Sequence, residues 1–480
     1  MRKILTIIFL LFCFLKSTNA IEIENMFIPL DRFNEYKQVD LGVNQLYTTT
    51  GIKPYTCEKG KVIYNQNLKF CKEISFFSST DFKAYYTNNK NAFSIIPEEE
   101  GIKLEKGMNS ILQVNGGLDL KNRFSYYYEA RITQTEKYFQ ATIYRMTFSI
   151  FYENLILTAG KDNIKVGPSK YGNLFSSTNP PFYQFNLRNN KPYEVFGILD
   201  FILMYGYLKE DRNDHSNPNL VFGRLDYKPN RFLEIGINRA VLFGGKGRPS
   251  YKIYEYPKVF YGNEETTGGR FDNDSYLGYD LKIDLPIKNF DIFQIYYENN
   301  ATDVESPLKK GDPKKLHFPL IIFKFHDNAE TIGIKLKKKD FYLNAEHTST
   351  GKSMYVNHNY PQEGLSYKGF ILGYPYGRSI NHTFLEFGKI KNDSLILFEV
   401  GYLRQPVDIS TNIRLRDYYL KLTYGRTFEK VSIYLYTKFD YFKNLNIADR
   451  TNDFKLINEN KFVYTLGISL NYKFWLVPAL

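Results

Sequence analysis

Six histidines are the first residues to test for chemistry: His215, His317, His326, His347, His358 and His382. A metal site needs ligands at short, regular spacings on one element, and none of these pairs with another in that way. Glu346 and His347 are adjacent, so on a strand they point to opposite faces. No G-x-S-x-G elbow is present for a nucleophilic serine. Gly244-Gly245-Lys246-Gly247-Arg248 is glycine-rich and basic, but it lacks the spacing of a phosphate-binding loop. Of three cysteines, Cys13 lies in an apolar leader, and Cys57 and Cys71 remain. An exported chain meets an oxidising compartment, which favours a Cys57–Cys71 disulfide over two free buried thiols. No second cysteine pair sits at zinc-ligand spacing. The sequence therefore offers no set of residues for catalysis, for a metal or for a cofactor, and it is read as that of a non-enzyme.

Two segments have a different chemistry. The first runs from Gly160 through Gly167-Pro168-Ser169 to Leu174-Phe175-Ser176-Ser177-Thr178-Asn179-Pro180-Pro181-Phe182. The second runs from Tyr355 through His358, Tyr360, Gly364, Tyr367, Lys368-Gly369, Leu372-Gly373 and Pro375 to Gly377. Their glycines and prolines suit close turns or inward-folded loops. Their aromatic and amide side chains suit sugars, whose faces stack on rings while hydroxyls pair with planar polar groups. On composition alone, plain loop packing is the simpler account.

These segments must be positioned by strands. From about Gly107 the chain alternates with period two. Phe124, Tyr126, Tyr128, Ala130 and Ile132 interleave with Ser125, Tyr127, Glu129, Arg131 and Thr133, and Leu277 to Leu285 repeat the pattern. Successive side chains on a strand face opposite ways, so one face is apolar and the other polar. The last strand is the clearest: Phe462, Tyr464, Leu466, Ile468, Leu470, Tyr472 and Phe474 share one face, beginning and ending in aromatics as an interfacial girdle does. Further strands are expected at Leu155–Gly160, Phe196–Tyr207, Leu220–Tyr227, Arg231–Phe243, Phe290–Tyr297, Thr331–Lys337, Phe341–His347, Phe384–Ile390, Leu395–Leu403, Tyr418–Arg426 and Val431–Phe439. Gly244–Asp274 and Asn299–Pro319 read as external loops.

Composition agrees with a membrane barrel. The 480 residues include 41 Tyr and 40 Phe but a single Trp, and rings of that kind bury one end while wetting the other. Residues 1–20 read as a signal peptide: Arg2 and Lys3, then an apolar run from Ile4 to Leu15, then Thr18-Asn19-Ala20 before the cut. That run is shorter than the roughly 20 apolar residues of a spanning helix. The formal charge is +12, and the three basic residues lost with the leader lower it to +9. Export excludes nucleic acid as the partner. Anionic lipid headgroups, an acidic polysaccharide or a lysine-rich genome account for the charge equally well. Residues 21–106, with Glu98-Glu99-Glu100 and the cysteine pair, show weak periodicity and read as a periplasmic or plug-like segment. Residues 107–480 read as an all-β, antiparallel outer-membrane barrel of 16 to 18 strands, from about 20 residues per strand and connection.

A strand ending in Gly, then a Gly-Pro loop, then Leu-x-Ser-x-x-Asn-x-Pro resembles the Wzi-type capsule-assembly outer-membrane proteins. The later Tyr/His segment followed by Tyr-x-Gly, Leu-Gly and a further Gly is similar to the same family, and the likeness spans about residues 107 to 475. It implies an 18-stranded barrel and a lectin that helps hold capsular or related exopolysaccharide on the bacterial surface. Val166 stands where the family often has Trp before the Gly-Pro, and Arg378 where it often has an acid. The N-terminal segment matches poorly. Nine residues are expected to meet the glycan: Lys165, Asn179, Arg239, Lys246, Arg248, His358, Tyr360, Tyr367 and Arg378. The basic groups would pair with acidic substituents, and Tyr360 and Tyr367 would stack. Outer-membrane lipids and the barrel-assembly machinery are further expected partners, the latter through the aromatic last strand. A porin-like diffusion channel is the alternative, and an open lumen would separate it.

Overall fold

The computed structural model describes residues 52–53, 74–88, 101–120, 123–176, 178–261, 271, 273–302, 327–391, 393–406, 414–428, 431–445 and 459–476. Eighteen antiparallel strands among them close into a barrel. In chain order the first nine are Ile74–Thr87, Gly107–Leu120, Phe124–Gln134, Phe139–Tyr152, Leu155–Asp162, Phe182–Asn189, Ile198–Tyr207, Asn219–Asn230 and Leu233–Phe243. The rest are Asp274–Asp284, Ile292–Thr302, Asn328–Lys338, Phe341–Thr350, Asn381–Ile390, Ser394–Pro406, Arg414–Phe428, Val431–Leu445 and Glu459–Leu476. Connections alternate between the two ends. Tyr152 to Leu155, Asn230 to Leu233 and Lys338 to Phe341 are tight turns at one end. The long connections 163–181, 244–273 and 351–380 leave the other end, which is the external one in a barrel of this kind.

The two faces of each strand differ as the alternation predicts. On Glu459–Leu476, Phe462, Leu466, Ile468, Leu470 and Tyr472 are 37–54% exposed on the outside of the barrel. Val463, Thr465, Ser469 and Asn471 between them are buried in the lumen. Ile237, Leu203, Leu225 and Ile332 carry the same apolar face round the wall. No described helix is long and apolar enough to cross a membrane, so a crossing by the described residues falls to these strands, whose backbones pair with their neighbours round the closed sheet.

The expected boundary at residue 107 is corrected. Ile74–Thr87 lies inside the stretch assigned to a periplasmic or plug-like segment, yet it pairs with Gly107–Leu120 on one side and Glu459–Leu476 on the other, closing the barrel. Seventeen strands follow Gly107, and an odd number would leave the chain's two ends on opposite sides of the membrane; the strand at Ile74 restores the even count. It escaped the period-two reading because its outward face includes Ser78 and Thr80, so the apolar stripe is broken. Farther back, Ile52–Lys53 pairs with Lys165–Val166. The signal peptide, Cys57 and Cys71 lie outside the described residues, as does the side chain of Phe474.

Candidate functional site

The two segments singled out in the sequence fold inward and interlock. Phe175 N–H donates to the Leu372 carbonyl at 2.8 Å, and Leu174 bridges to Gly373. The Tyr355 hydroxyl donates to the Asn173 carbonyl at 2.7 Å and accepts the Tyr374 N–H at 3.0 Å. Tyr171 meets Tyr374 edge-on with ring centres 6.0 Å apart. Leu174, Phe175, Tyr355, Tyr360, Leu372 and Tyr374 are all 0–1% exposed and belong to one apolar cluster inside the barrel. The motif glycines make this fit possible. A side chain at Gly373 would fall on the Tyr355 ring, and Gly167, at φ +87°, packs against the Glu298 carboxylate. Phe175 and Tyr355 themselves hold φ of +55° and +69°, a strained region for large residues that persists where the surroundings dictate it.

Four glutamates on the inner wall hold the first loop in place. Glu298 accepts Ser169 Oγ at 2.5 Å and Asn173 N–H at 2.7 Å. Glu346 accepts Lys170 N–H at 2.7 Å. The Lys170 ammonium sits 2.7 Å from Glu386 and 2.6 Å from Glu399, and Lys421 reaches Glu399 at 2.5 Å. Tyr419 donates to Glu399 at 2.8 Å and contacts His382 Nε2 at 2.8 Å; the other ring nitrogen of His382 meets the Tyr374 hydroxyl at 2.6 Å. Sequence reasoning weighed Glu346 only beside His347 and missed the other three carboxylates. Their signal was present: each stands at a lumen-facing position of an apolar-alternating strand, where a buried charge demands a partner.

At the external end three connections meet around Tyr360. Its hydroxyl donates to the Gly244 carbonyl at 2.8 Å. Its ring lies 5.7 Å from His215, 5.8 Å from the Arg212 guanidinium and 5.7 Å from that of Arg248. Arg212 clamps the assembly: it donates to the Gly364 carbonyl at 2.5 Å and pairs with Asp214 at 3.0 Å. Burial would raise the Asp214 carboxyl, but the N–H groups of Glu363 and His215 and the Arg212 charge together hold it below its ordinary value. Burial pushes Glu210 up, against the Lys368 N–H and Arg212. The Tyr360 and Tyr367 hydroxyls are also raised by burial.

The nine expected residues separate into two groups and two single residues. Lys246, Arg248, His358 and Tyr360 lie on the two connections that meet at the Tyr360 ring: Lys246 and His358 are exposed, Arg248 is half-buried with its guanidinium 5.7 Å from the ring, and the Lys246 carbonyl meets His215 Nδ1 at 3.0 Å. Lys165, Asn179 and Tyr367 are buried in the seam. Lys165 donates to the Lys170 carbonyl at 2.6 Å, the Asn179 amide reaches the Ile371 carbonyl at 2.8 Å, and Tyr367 packs edge-on against Phe182. Tyr360 and Tyr367, at 0% and 1% exposure, present no ring face for a sugar, which corrects the stacking role expected of them. Arg378 is exposed, and its carbonyl accepts from Gln405 on a neighbouring strand rather than joining the Tyr360 group. Arg239 falls elsewhere: it shares the outer face of Leu233–Phe243 with Ile237 and Val241, whereas Asn238 and Ala240 face the lumen.

The barrel is similar to the outer-membrane protein Wzi of Escherichia coli, described as involved in group 1 capsule assembly and as a carbohydrate-binding β-barrel. That likeness has a TM-score of 0.63 at 15% identity, covering 92% of this chain and 98% of the other. OccK3 (OpdO) of Pseudomonas aeruginosa follows at a TM-score of 0.52 and 10% identity, over 86% and 99% of the two chains. No curated protein matches by sequence. The family model described as capsule assembly protein Wzi matches residues 90–407, a span that contains both interlocked segments and the rim around Tyr360. That span is well over half of the chain, and the chain belongs to the Wzi capsule assembly protein family.

Proposed function

We propose that this chain is an outer-membrane, lectin-like barrel that takes part in the assembly or surface attachment of capsular or exopolysaccharide. The observation that carries the reading is the external rim: exposed Lys246 and His358 and half-buried Arg248 lie on the connections that meet at the buried Tyr360, above loops interlocked inside the barrel. A lysine and an arginine on an ordered base fit an acidic polymer, to which arginine can bind in bidentate fashion. One rim is a small site, and strength comes from many repeats of one polymer meeting many barrels. Arg378, on the same external end, adds a further cation. Lys165, Asn179 and Tyr367 support the rim from below rather than touching glycan. The loops interlocked inside the barrel argue against a diffusion channel. Export by the N-terminal leader and insertion through the aromatic last strand complete the proposal.

The test is a deletion strain. Loss of cell-attached polysaccharide, restored by the intact chain, supports the reading. Undiminished attachment refutes it. Purified barrel in a planar bilayer should pass no steady current, and a steady open conductance would favour the channel instead.

A further inference from the structure

One external connection turns the opposite way from 163–181 and 351–380. Residues 244–273 begin at the rim, and Tyr251–Tyr261 then lies against the outside of the barrel, with a 3-10 turn at Ile253–Glu255 and a short helix at Tyr256–Tyr261. Tyr251 and Val259 are buried there with Val241, Phe243 and Phe271. Tyr256 stacks on Tyr205 with ring centres 5.7 Å apart. Phe260 reaches Gly223, where an added Cβ would meet its ring at 2.8 Å. Gly223 pairs with Arg239 across the sheet, four residues from the strand end at Phe243, so the segment descends the wall by roughly 13 Å. On the next outward rung, Ile237 and Leu225 are 53% and 43% exposed. The segment therefore ends where the bare apolar wall begins.

Its other side is not that of a solvated loop. Ile253 is 80% exposed and Tyr254 69%. They stand beside Pro257 and between Lys252 and Lys258, all three exposed, and the Lys252 ammonium lies 5.8 Å from the Tyr254 ring. The only acid of the segment, Glu255, is turned inward at 8% exposure. An element with aromatic and aliphatic residues flanked by lysines, at the edge of a lipid-facing wall, has the pattern of an interfacial anchor.

We propose that Tyr251–Tyr261 is a membrane-interface anchor. Ile253 and Tyr254 enter the outer leaflet at the boundary of headgroups and acyl chains, and Lys252 and Lys258 pair with anionic lipid headgroups. The occupant is lipid, because the exposed patch is continuous with the apolar wall below it and its charge complements phosphate. The proposal rests on the transmembrane reading of the barrel and is independent of the glycan reading.

The chain's single tryptophan, Trp475, allows a direct test. In a Trp475→Phe background, Ile253→Trp is refolded into phosphatidylcholine vesicles carrying bromine on the upper acyl carbons, with and without phosphatidylglycerol. Heat-modifiable migration first shows that the barrel has inserted. The expected result is a blue-shifted emission that falls about twofold in brominated lipid, as for a residue roughly 5–10 Å into the interface. Phosphatidylglycerol should deepen the quenching, and Lys252→Ser with Lys258→Ser should remove that increment. Red-shifted emission, quenched by aqueous iodide and untouched by bromine in an inserted barrel, overturns the anchor while leaving the barrel reading intact. Protection from both quenchers together with dimer formation would show that a second copy covers the patch, and also overturns it. A barrel that fails to insert would instead count against the transmembrane reading.

Discussion

The connections 163–181 and 244–273 leave the same end of one barrel and turn in opposite directions. The first enters the lumen and is held by Ser169, Lys170 and Asn173 against Glu298, Glu346, Glu386 and Glu399. The second folds over the outside and is held by Tyr251, Tyr256, Val259 and Phe260 against Tyr205, Val221, Gly223 and Val241. The wall each loop meets explains the difference. Inward strand positions offer carboxylates that need donors, and outward positions offer apolar surface that needs cover. Loop chemistry is thus complementary to one face of the strand alternation. That rule can be broken at either wall.

The largest effect is expected inside. Lys170→Met removes the ammonium that pairs with Glu386 and Glu399. Breaking a buried pair by deleting one partner costs about 3–5 kcal/mol, so the temperature at which the barrel loses its heat-modifiable migration should drop sharply. Adding Glu386→Leu should recover much of the loss, because the stranded carboxylate is gone. If the single variant melts with the native chain, ions do not hold the loop in the lumen. On the outer wall the comparable test is Ile468→Arg, which should cost roughly 2–4 kcal/mol near the bilayer midplane. Ser469→Arg, one residue on and facing the lumen, should cost much less, and equal losses would contradict the assignment of faces.

A smaller step is expected at the seam. Tyr355→Phe keeps the ring in place but leaves the Asn173 carbonyl and the Tyr374 N–H without the hydroxyl they share. Unmade buried hydrogen bonds cost about 1–3 kcal/mol. Protease should then cut within 163–181 or 351–380 at temperatures where the native chain resists, and an unchanged digestion pattern would demote the seam to passive packing.

How much of this was legible follows the same division. The outward apolar stripes of Phe124–Gln134, Asp274–Asp284 and Glu459–Leu476 were plain in the sequence, because lipid demands the same residue class at every second position. Ile74–Thr87 was not, since Ser78 and Thr80 interrupt its stripe. The paired loop segments stood out through glycine, proline and tyrosine, and they do meet. Their residues were expected to touch glycan, however, and most of them touch each other. Composition cannot tell a ring that stacks on sugar from one that packs on a neighbouring loop: Tyr360 and Tyr367 look alike either way until burial is known. Arg239 was misplaced for a related reason, because the period-two rule gives its face only once the register of Asn238 and Ala240 is fixed. The wall glutamates were passed over as loop anchors because their partners on the loop lie more than a hundred residues away.

The external clamp titrates in acid. Asp214 is held below the ordinary carboxylate value of 3.8 by the Glu363 and His215 N–H groups and by Arg212, against its burial. A depressed folded value means stability that is present above the unfolded value and lost as pH falls through the folded one. Connection 208–218 should therefore loosen only below about pH 4, seen as pepsin cleavage appearing there. Arg212→Met should allow that cleavage at higher pH, and a cleavage profile identical to that of the native chain would remove Asp214 from the clamp.

The smallest effect on stability is expected where the proposed function lies. Arg378 is exposed and Arg248 half-buried at the rim, and surface substitutions usually change stability by no more than about 0.5 kcal/mol. The Arg248 guanidinium lies 5.7 Å from the Tyr360 ring, while the Gly244 carbonyl and Arg212 also hold that side chain. Replacing both arginines with alanine should therefore leave barrel level and heat-modifiability unchanged and release polysaccharide from the cell surface. The contrast with Lys170→Met is the point of the experiment, since that change should unseat a loop whereas this one should unseat only a ligand. Attached polysaccharide at the native level in the double variant would mean that these two arginines do not meet glycan. A fall in barrel level would mean that they brace the rim, and the inner and outer ends of the loop system would then share one structural task.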